Sequence, residues 1–178
     1  MNEKKYLIVV DMQKDFIDGA LGTKEAQAIV DAAAERIREC RKEGYRVIAT
    51  LDTHEANYME TAEGKKLPVP HCLRGTEGWQ LNPVIRDAAG DAALLEKPTF
   101  GSVKLPELIR KETEAGDRIR IELMGLCTDI CVVSNALLLK ANFPEAEIAV
   151  NAKCCAGVTP EKHLAALETM SSCQIDVI

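Results

Sequence analysis

The sequence predicts an α/β fold in three layers, with a mostly parallel six-stranded sheet doubly wound by helices on its two faces. Two observations carry that prediction. Short apolar runs of the kind found in strands buried on both faces alternate along the chain with longer stretches of helical periodicity. Glycines, prolines and capping hydroxyls stand at the joints between them. A length of 178 residues suits one full-sized core and is short for two, so residues 1–178 are expected to form a single domain.

Tyr6 to Val10 is a continuous apolar run that stops at Asp11, which fits a first strand. Thr23 can cap a helix running through Glu43, with Ile29, Ala33, Ile37 and Cys40 at helical spacing and Gly44 as the stop. Tyr45 to Leu51 reads as the second strand. Residues 52–91 carry Gly64, Pro68, Pro70, Gly75, Gly78 and Pro83 without sustained periodicity, the texture of a long functional loop. Ala92 to Glu96 is then a strand, Pro106 to Ala115 a helix closed by Gly116, and Arg118 to Met124 a strand. Asp129 to Ala141 reads as a helix, Glu147 to Val150 as a strand, Pro160 to Ser171 as a helix opened by Thr159, and Gln174 to Ile178 as the last strand. Right-handed crossovers would join these strands, and parallel sheets of this kind bind ligands beyond the carboxyl ends of their strands. Asp11, Asp52, Lys97 and Cys131 all fall at or just after predicted strand ends, so they are candidates to share one crevice.

Composition narrows the function classes. A formal net charge of −6 opposes binding to polyanionic nucleic acid, which requires concentrated Lys and Arg. The apolar run near the N-terminus is too short for a signal core or a membrane span, which predicts a cytoplasmic protein without membrane association. Seven cysteines, an odd number with no C-x-x-C, predict reduced thiols rather than a disulfide scaffold or a cysteine-rich zinc ribbon. No G-x-G-x-x-G follows the first strand, where DMQKDFIDG stands instead, and this weakens a dinucleotide-binding reading.

The segment GLCTDICV, Gly125 to Val132, carries the chain from a buried strand into a helix and places Cys131 in the first helical turn. Free amides and the helix dipole there favour thiolate and can hold an oxyanion, although a cysteine packed beneath a helix fits the same position. Asp11 in VVDMQKDF is either a general base or an acid capping the next turn. Lys97 in LEKPTFGS is either a solvated lysine or, beside Asp11 and Cys131, a cation that keeps the carboxylate ionised.

Taken in order, VVDMQKDF, DTH, PHCLRGTEG, LEKPTFGS and GLCTDICV span nearly the whole chain. In this pattern the sequence resembles the isochorismatase-like cysteine hydrolase superfamily, and within it the nicotinamidase and pyrazinamidase branch, whose fold is Rossmann-like. The resemblance implies a catalytic Asp11, Lys97 and Cys131. It also implies a non-proline cis peptide at Leu126-Cys127 and an oxyanion hole made by the backbone N–H groups of Cys127 and Cys131. Asp52, His54 and His71 match the branch's metal site, with Glu63 as a further ligand and Glu60 as the alternative. Two imidazoles with carboxylate suit zinc first, and iron or manganese as alternatives. Phe16 falls at the position of an aromatic residue of the pocket, where core packing is an equal reading.

Two departures bear on the substrate. Relatives often carry Trp just before the histidine segment, where KLPVPHC has Leu67 and Pro68, and Trp79 lies downstream. Thr53 stands where many have an aromatic residue. The resemblance thus implies hydrolysis of nicotinamide or a related aromatic carboxamide such as pyrazinamide, through a thioester on Cys131. It further implies a small-molecule amide as partner and a homo-oligomeric assembly. The alternatives are N-carbamoyl amide or isochorismate-type hydrolysis within the superfamily, and a noncatalytic dinucleotide-binding domain outside it.

Overall fold

A computed structural model describes residues 2–178 of the chain. It contains β1 (Glu3–Val10), α1 (Lys14–Ile17), α2 (Lys24–Ala28), α3 (Val30–Lys42) and β2 (Arg46–Asp52). A 3-10 turn at Tyr58–Glu60 and α4 (Ala62–Lys66) come next, then α5 (Pro83–Ala89), β3 (Ala93–Lys97) and α6 (Lys104–Glu112). The chain continues through β4 (Arg118–Leu126), a π-turn at Thr128–Val132, α7 (Val133–Asn142), β5 (Glu147–Ala156), α8 (Pro160–Ser172) and β6 (Asp176–Val177).

The strands form one six-stranded sheet in the order β3-β2-β1-β4-β5-β6, and every pairing is parallel. From β1 the chain steps outward to β3, then returns to the other side of β1 and steps outward again to β6. Right-handed crossovers therefore put α3 and α5 on one face and α6, α7 and α8 on the other. The reversal lies between β1 and β4, and the carboxyl ends of these neighbours diverge into a crevice there. Residues Leu7 to Val10 are fully buried, as a strand covered by helices on both faces requires. All seven cysteines are unpaired, and Cys154 and Cys155 lie in the core. No helix among the described residues is long and apolar enough to cross a membrane.

Three expectations need correction. The helix expected from Thr23 to Glu43 is two helices, α2 and α3, meeting at Ile29. Thr23 does cap it, accepting from the Ala26 N–H at 3.0 Å, but the chain turns so that Ala26 can face the crevice while α3 follows the sheet. The region 52–91 is more ordered than its texture suggested. Asn82 caps α5 through the Val84 N–H at 2.9 Å, with Pro83 at the first helical position, so the proline that read as loop opens the crossover helix. Finally, β5 runs six residues past Val150 to Ala156, because an irregularity in its pairing opposite Leu123 and Gly125 lets it rejoin β4.

Candidate active site

Four strand ends build the site. Asp11 follows β1 directly, with its backbone at φ 49°, and Asp52 and Lys97 are the last residues of β2 and β3 in register with each other. β4 ends at Leu126, and the Leu126-Cys127 peptide is cis, as the resemblance implied. Gly125 has φ 123°, and a Cβ on it would lie 2.2 Å from the Val10 carbonyl oxygen, so only glycine lets β4 run this close to β1. The Cys127 carbonyl then accepts from the N–H groups of Ile130 and Val132, at 3.0 and 3.1 Å, and this wide turn carries Cys131 into the crevice.

The structure brings Asp11, Lys97 and Cys131 together. Lys97 Nζ lies 2.7 Å from Asp11 Oδ2 and 3.4 Å from Cys131 Sγ, and also donates to the Thr99 carbonyl at 3.0 Å. Asp11 Oδ1 accepts from the Thr50 hydroxyl at 2.7 Å, while Oδ2 has no aligned hydrogen bond besides its ion pair with Lys97. Complete burial pushes the Asp11 carboxyl above its ordinary value, and the Lys97 ammonium offsets part of the rise. Burial opposes the charge on Lys97 as well, but the carboxylates of Asp11 and Asp52 hold it protonated. The Cys131 thiol is driven well above its ordinary value by burial and then by Asp11, against the pull of Lys97. Burial thus opposes the thiolate that the helix start and Lys97 favour.

Beside this trio stands a second cluster. Ligand atoms of Asp52, His54, Glu63 and His71 all lie within 4.8 Å of one another. His54 Nε2 is 3.0 Å from Asp52 Oδ2 and 3.6 Å from Glu63 Oε1, and His71 Nε2 is 3.4 Å from the same Asp52 oxygen. His71 Nδ1 lies 2.8 Å from the Val69 carbonyl, to which it can only donate, so Nε2 keeps a free lone pair toward the cluster. The residues therefore fit a divalent ion in donor type and in tautomer. Burial works against ionisation of Asp52, but its close contacts with His54 and His71 and the charge of Lys97 hold its carboxyl well below the ordinary range. Glu60 is exposed and outside the cluster, which leaves Glu63 as the fourth candidate.

Cys131 of the trio and Asp52, Glu63 and His71 of the cluster line one cavity of about 220 Å³. Cys127 and Cys131 form part of its wall, Asp52, Glu63 and His71 another part, and Phe16, Leu67, Phe100, Ile130 and Val158 supply the apolar remainder. The Phe16 ring centroid is 5.4 Å from that of His71, so Phe16 faces the cavity instead of serving only the core. Trp79 does not line it. Its Nε1 donates to the Thr53 hydroxyl at 2.9 Å, so this downstream Trp braces Thr53, one of the two departures from the resemblance, and leaves the cavity wall to Leu67. Sequence reasoning missed Thr50, Phe100 and Ile130. The last two sit beside Lys97 and Cys131 in the chain, and their place in the same motifs was the available signal.

An Isochorismatase domain model matches residues 5–178. The chain is 32% identical to the nicotinamidase of Escherichia coli over 152 residues, 71% of each protein. It is 26% identical to the nicotinamidase/pyrazinamidase of Mycobacterium tuberculosis over 97% of each. The pyrazinamidase of Pyrococcus horikoshii, solved in complex with zinc, superposes with a TM-score of 0.81 at 27% identity over 98% of both chains. A family model covering nearly every residue, with relatives and solved structures matched over almost their full length, establishes that the chain belongs to the isochorismatase family.

Proposed function

We propose that this chain is a cysteine-dependent amidohydrolase that converts nicotinamide, or a related aromatic carboxamide such as pyrazinamide, to the carboxylic acid and ammonia. The observation that carries the reading is Lys97 Nζ bridging Asp11 and Cys131, with Cys131 lining a cavity that Asp52, Glu63 and His71 of a two-histidine, two-carboxylate cluster also line. The relatives named nicotinamidase and pyrazinamidase support it.

In this reading the raised basicity of Asp11 suits it to take the Cys131 proton as the thiolate attacks the carboxamide carbon. Lys97 stays charged and compensates the negative charge shared by Asp11 and the sulfur. The N–H groups of Cys127 and Cys131 serve the oxyanion. Asp11 returns its proton to the nitrogen, the C–N bond breaks, and ammonia leaves a thioester. Asp11 then takes a proton from the attacking water, the acid is released, and the proton passes back to the thiol. Asp52, His54, Glu63 and His71 would hold a divalent ion, zinc first with iron or manganese as alternatives. When bound, such an ion supplies a Lewis acid that can receive a ring nitrogen. Phe16 flanks a flat ring, and the apolar walls exclude water from the thioester.

We take residues 1–178 as one catalytic domain working in the cytoplasm on a small-molecule amide. The acidic net charge argues against nucleic-acid partners, and family resemblance argues for a homo-oligomer.

Ammonia release from nicotinamide, pyrazinamide, aliphatic amides and N-carbamoyl amides tests the reading in the native protein, Cys131→Ala and a chelator-treated sample. Release from the aromatic amides that vanishes in Cys131→Ala and falls on chelation is the expected result. Release confined to nonaromatic or N-carbamoyl amides would keep the chemistry and discard the substrate. Full activity in Cys131→Ala would discard both.

A further inference from the structure

Two side chains outside the reacting groups hold the metal-ligand cluster in shape, and both come from the strap that follows Asp11. Gln13 is completely buried. Its Nε2 donates to the carbonyls of Asp52 and Trp79, each at 2.8 Å, and its Oε1 accepts from the Asp52 N–H at 2.8 Å. A single amide side chain thus pairs with both backbone groups of Asp52, as a residue on a neighbouring strand would. β1 has ended at Val10, so Gln13 extends the β1–β2 pairing to the residue that carries a ligand. Being uncharged, it fixes Asp52 without competing for a cation.

Asp15 does the equivalent for the histidines. Its Oδ2 accepts from the N–H of Cys72 at 2.8 Å, the residue directly after His71. Cys72 has φ 46°, a backbone conformation that a cysteine does not adopt unless its surroundings impose it. The Cys72 carbonyl in turn accepts from the His54 N–H at 3.0 Å, so one residue, fixed at both ends, ties Asp15 to the two imidazole-bearing segments. The fit is close. A Cβ on Gly78 would come within 2.2 Å of both Asp15 carboxylate oxygens.

We infer that Gln13 and Asp15 are positioning residues that preorganise Asp52, His54 and His71 for a divalent cation. The inference rests on the metal reading above and deepens it. In the native fold the donors of the cluster include two carboxylates, so contacts from outside must keep these groups close before an ion neutralises them.

The test is zinc affinity of the full-length protein, by competition with a chromophoric chelator, together with the visible spectrum of the cobalt-loaded form. Gln13→Met keeps volume and removes three hydrogen bonds; Asp15→Ala removes the Cys72 acceptor. Gly78→Ala displaces the same carboxylate from the other side and supplies an independent variant should either of the first two fail to fold. Each folded variant, verified by its metal-free urea transition, is expected to bind zinc roughly 10- to 100-fold more weakly, with altered cobalt bands. Asp15→Asn keeps an acceptor oxygen and is expected to recover most of the affinity. Wild-type zinc affinity and an unchanged cobalt spectrum in the folded variants would overturn the inference while leaving the metal site standing. A wild-type protein that takes up neither metal would overturn the metal reading itself, and the inference with it.

Discussion

Lys97 Nζ and Asp11 Oδ2 stand 2.7 Å apart with both side chains wholly buried, so neither charge can turn to solvent if the other is removed. Breaking a buried pair by deleting one partner costs about 3–5 kcal/mol, mostly the desolvation of the charge left behind. Lys97→Met is accordingly expected to lower the unfolding free energy by about that amount, and the double variant Asp11→Asn, Lys97→Met to regain most of it. Urea unfolding of the metal-free proteins decides. A single variant as stable as the wild type would mean that Asp11 is neutral in the resting protein.

The cavity wall gives a prediction about substrate binding. Leu67 and Phe100 are 39% and 47% exposed, yet both line the site cavity as well as the groove outside it, so they form a thin apolar partition. Neither touches the reacting trio by hydrogen bond or ion pair, and their contribution should be felt by ground state and transition state alike. Phe100→Ala is expected to raise KM for nicotinamide roughly 2- to 10-fold, the worth of an aromatic contact, with kcat nearly unchanged. Steady-state kinetics separates the two constants. A fall in kcat with constant KM would place Phe100 in the chemistry instead.

Much of this arrangement could be read from the sequence, and the unread part has identifiable causes. The apolar run Tyr6–Val10 ending at Asp11 gave the first strand and its site residue because burial on both faces leaves no alternation to misread. Lys97 and Cys131 were legible from their motifs at strand ends, Lys97 closing β3 and Cys131 following β4 by one turn. α5 was not, since the Asn82-Pro83 pair that starts it is equally a turn signal, and its role as cap depends on a hydrogen bond that appears only when the helix forms. The break at Ile29 was also hidden, because its apolar spacing is continuous across the joint. Cys131 shows the limit at the site. Its position in a helix start argued for a thiolate, while the burial that opposes one is a property of the assembled fold.

The loop beside the nucleophile turn carries a titration. His163 Nδ1 lies 2.7 Å from the hydroxyl of the buried Thr128, and the Val158 N–H donates to Asp129 Oδ1 at 3.0 Å, so α8 and its entry loop brace the turn that holds Cys131. Partial burial lowers the His163 pKa from its ordinary 6.5, with Asp129 pulling weakly the other way. The unfolded chain therefore binds this proton more readily than the folded one. Its contribution to stability is complete above about pH 6.5 and is lost as the pH falls through that value toward the lower folded one. His163→Gln should flatten that part of the profile. Unfolding midpoints measured at intervals from about pH 5 to 7.5 show it, and superimposable wild-type and variant profiles would exclude His163 as the source.

Gly125 links the fold to the chemistry most directly. It lies two residues before Cys127 with φ 123°, opposite Val10 in the β1–β4 ladder. A Cβ there would meet the Val10 carbonyl oxygen at 2.2 Å and its nitrogen at 2.8 Å, contacts with backbone that no rotamer change relieves. Gly125→Ala must either separate the two central strands or flip its own backbone out of the positive-φ region. Either movement displaces Cys127 and Cys131 relative to Asp11. The expected result is a loss of about 3 kcal/mol or more in urea unfolding, with ammonia release falling further than the folded fraction explains. Activity per folded molecule separates these effects. Wild-type turnover in the residual folded protein would show that the nucleophile turn keeps its place independently of the β1–β4 contact.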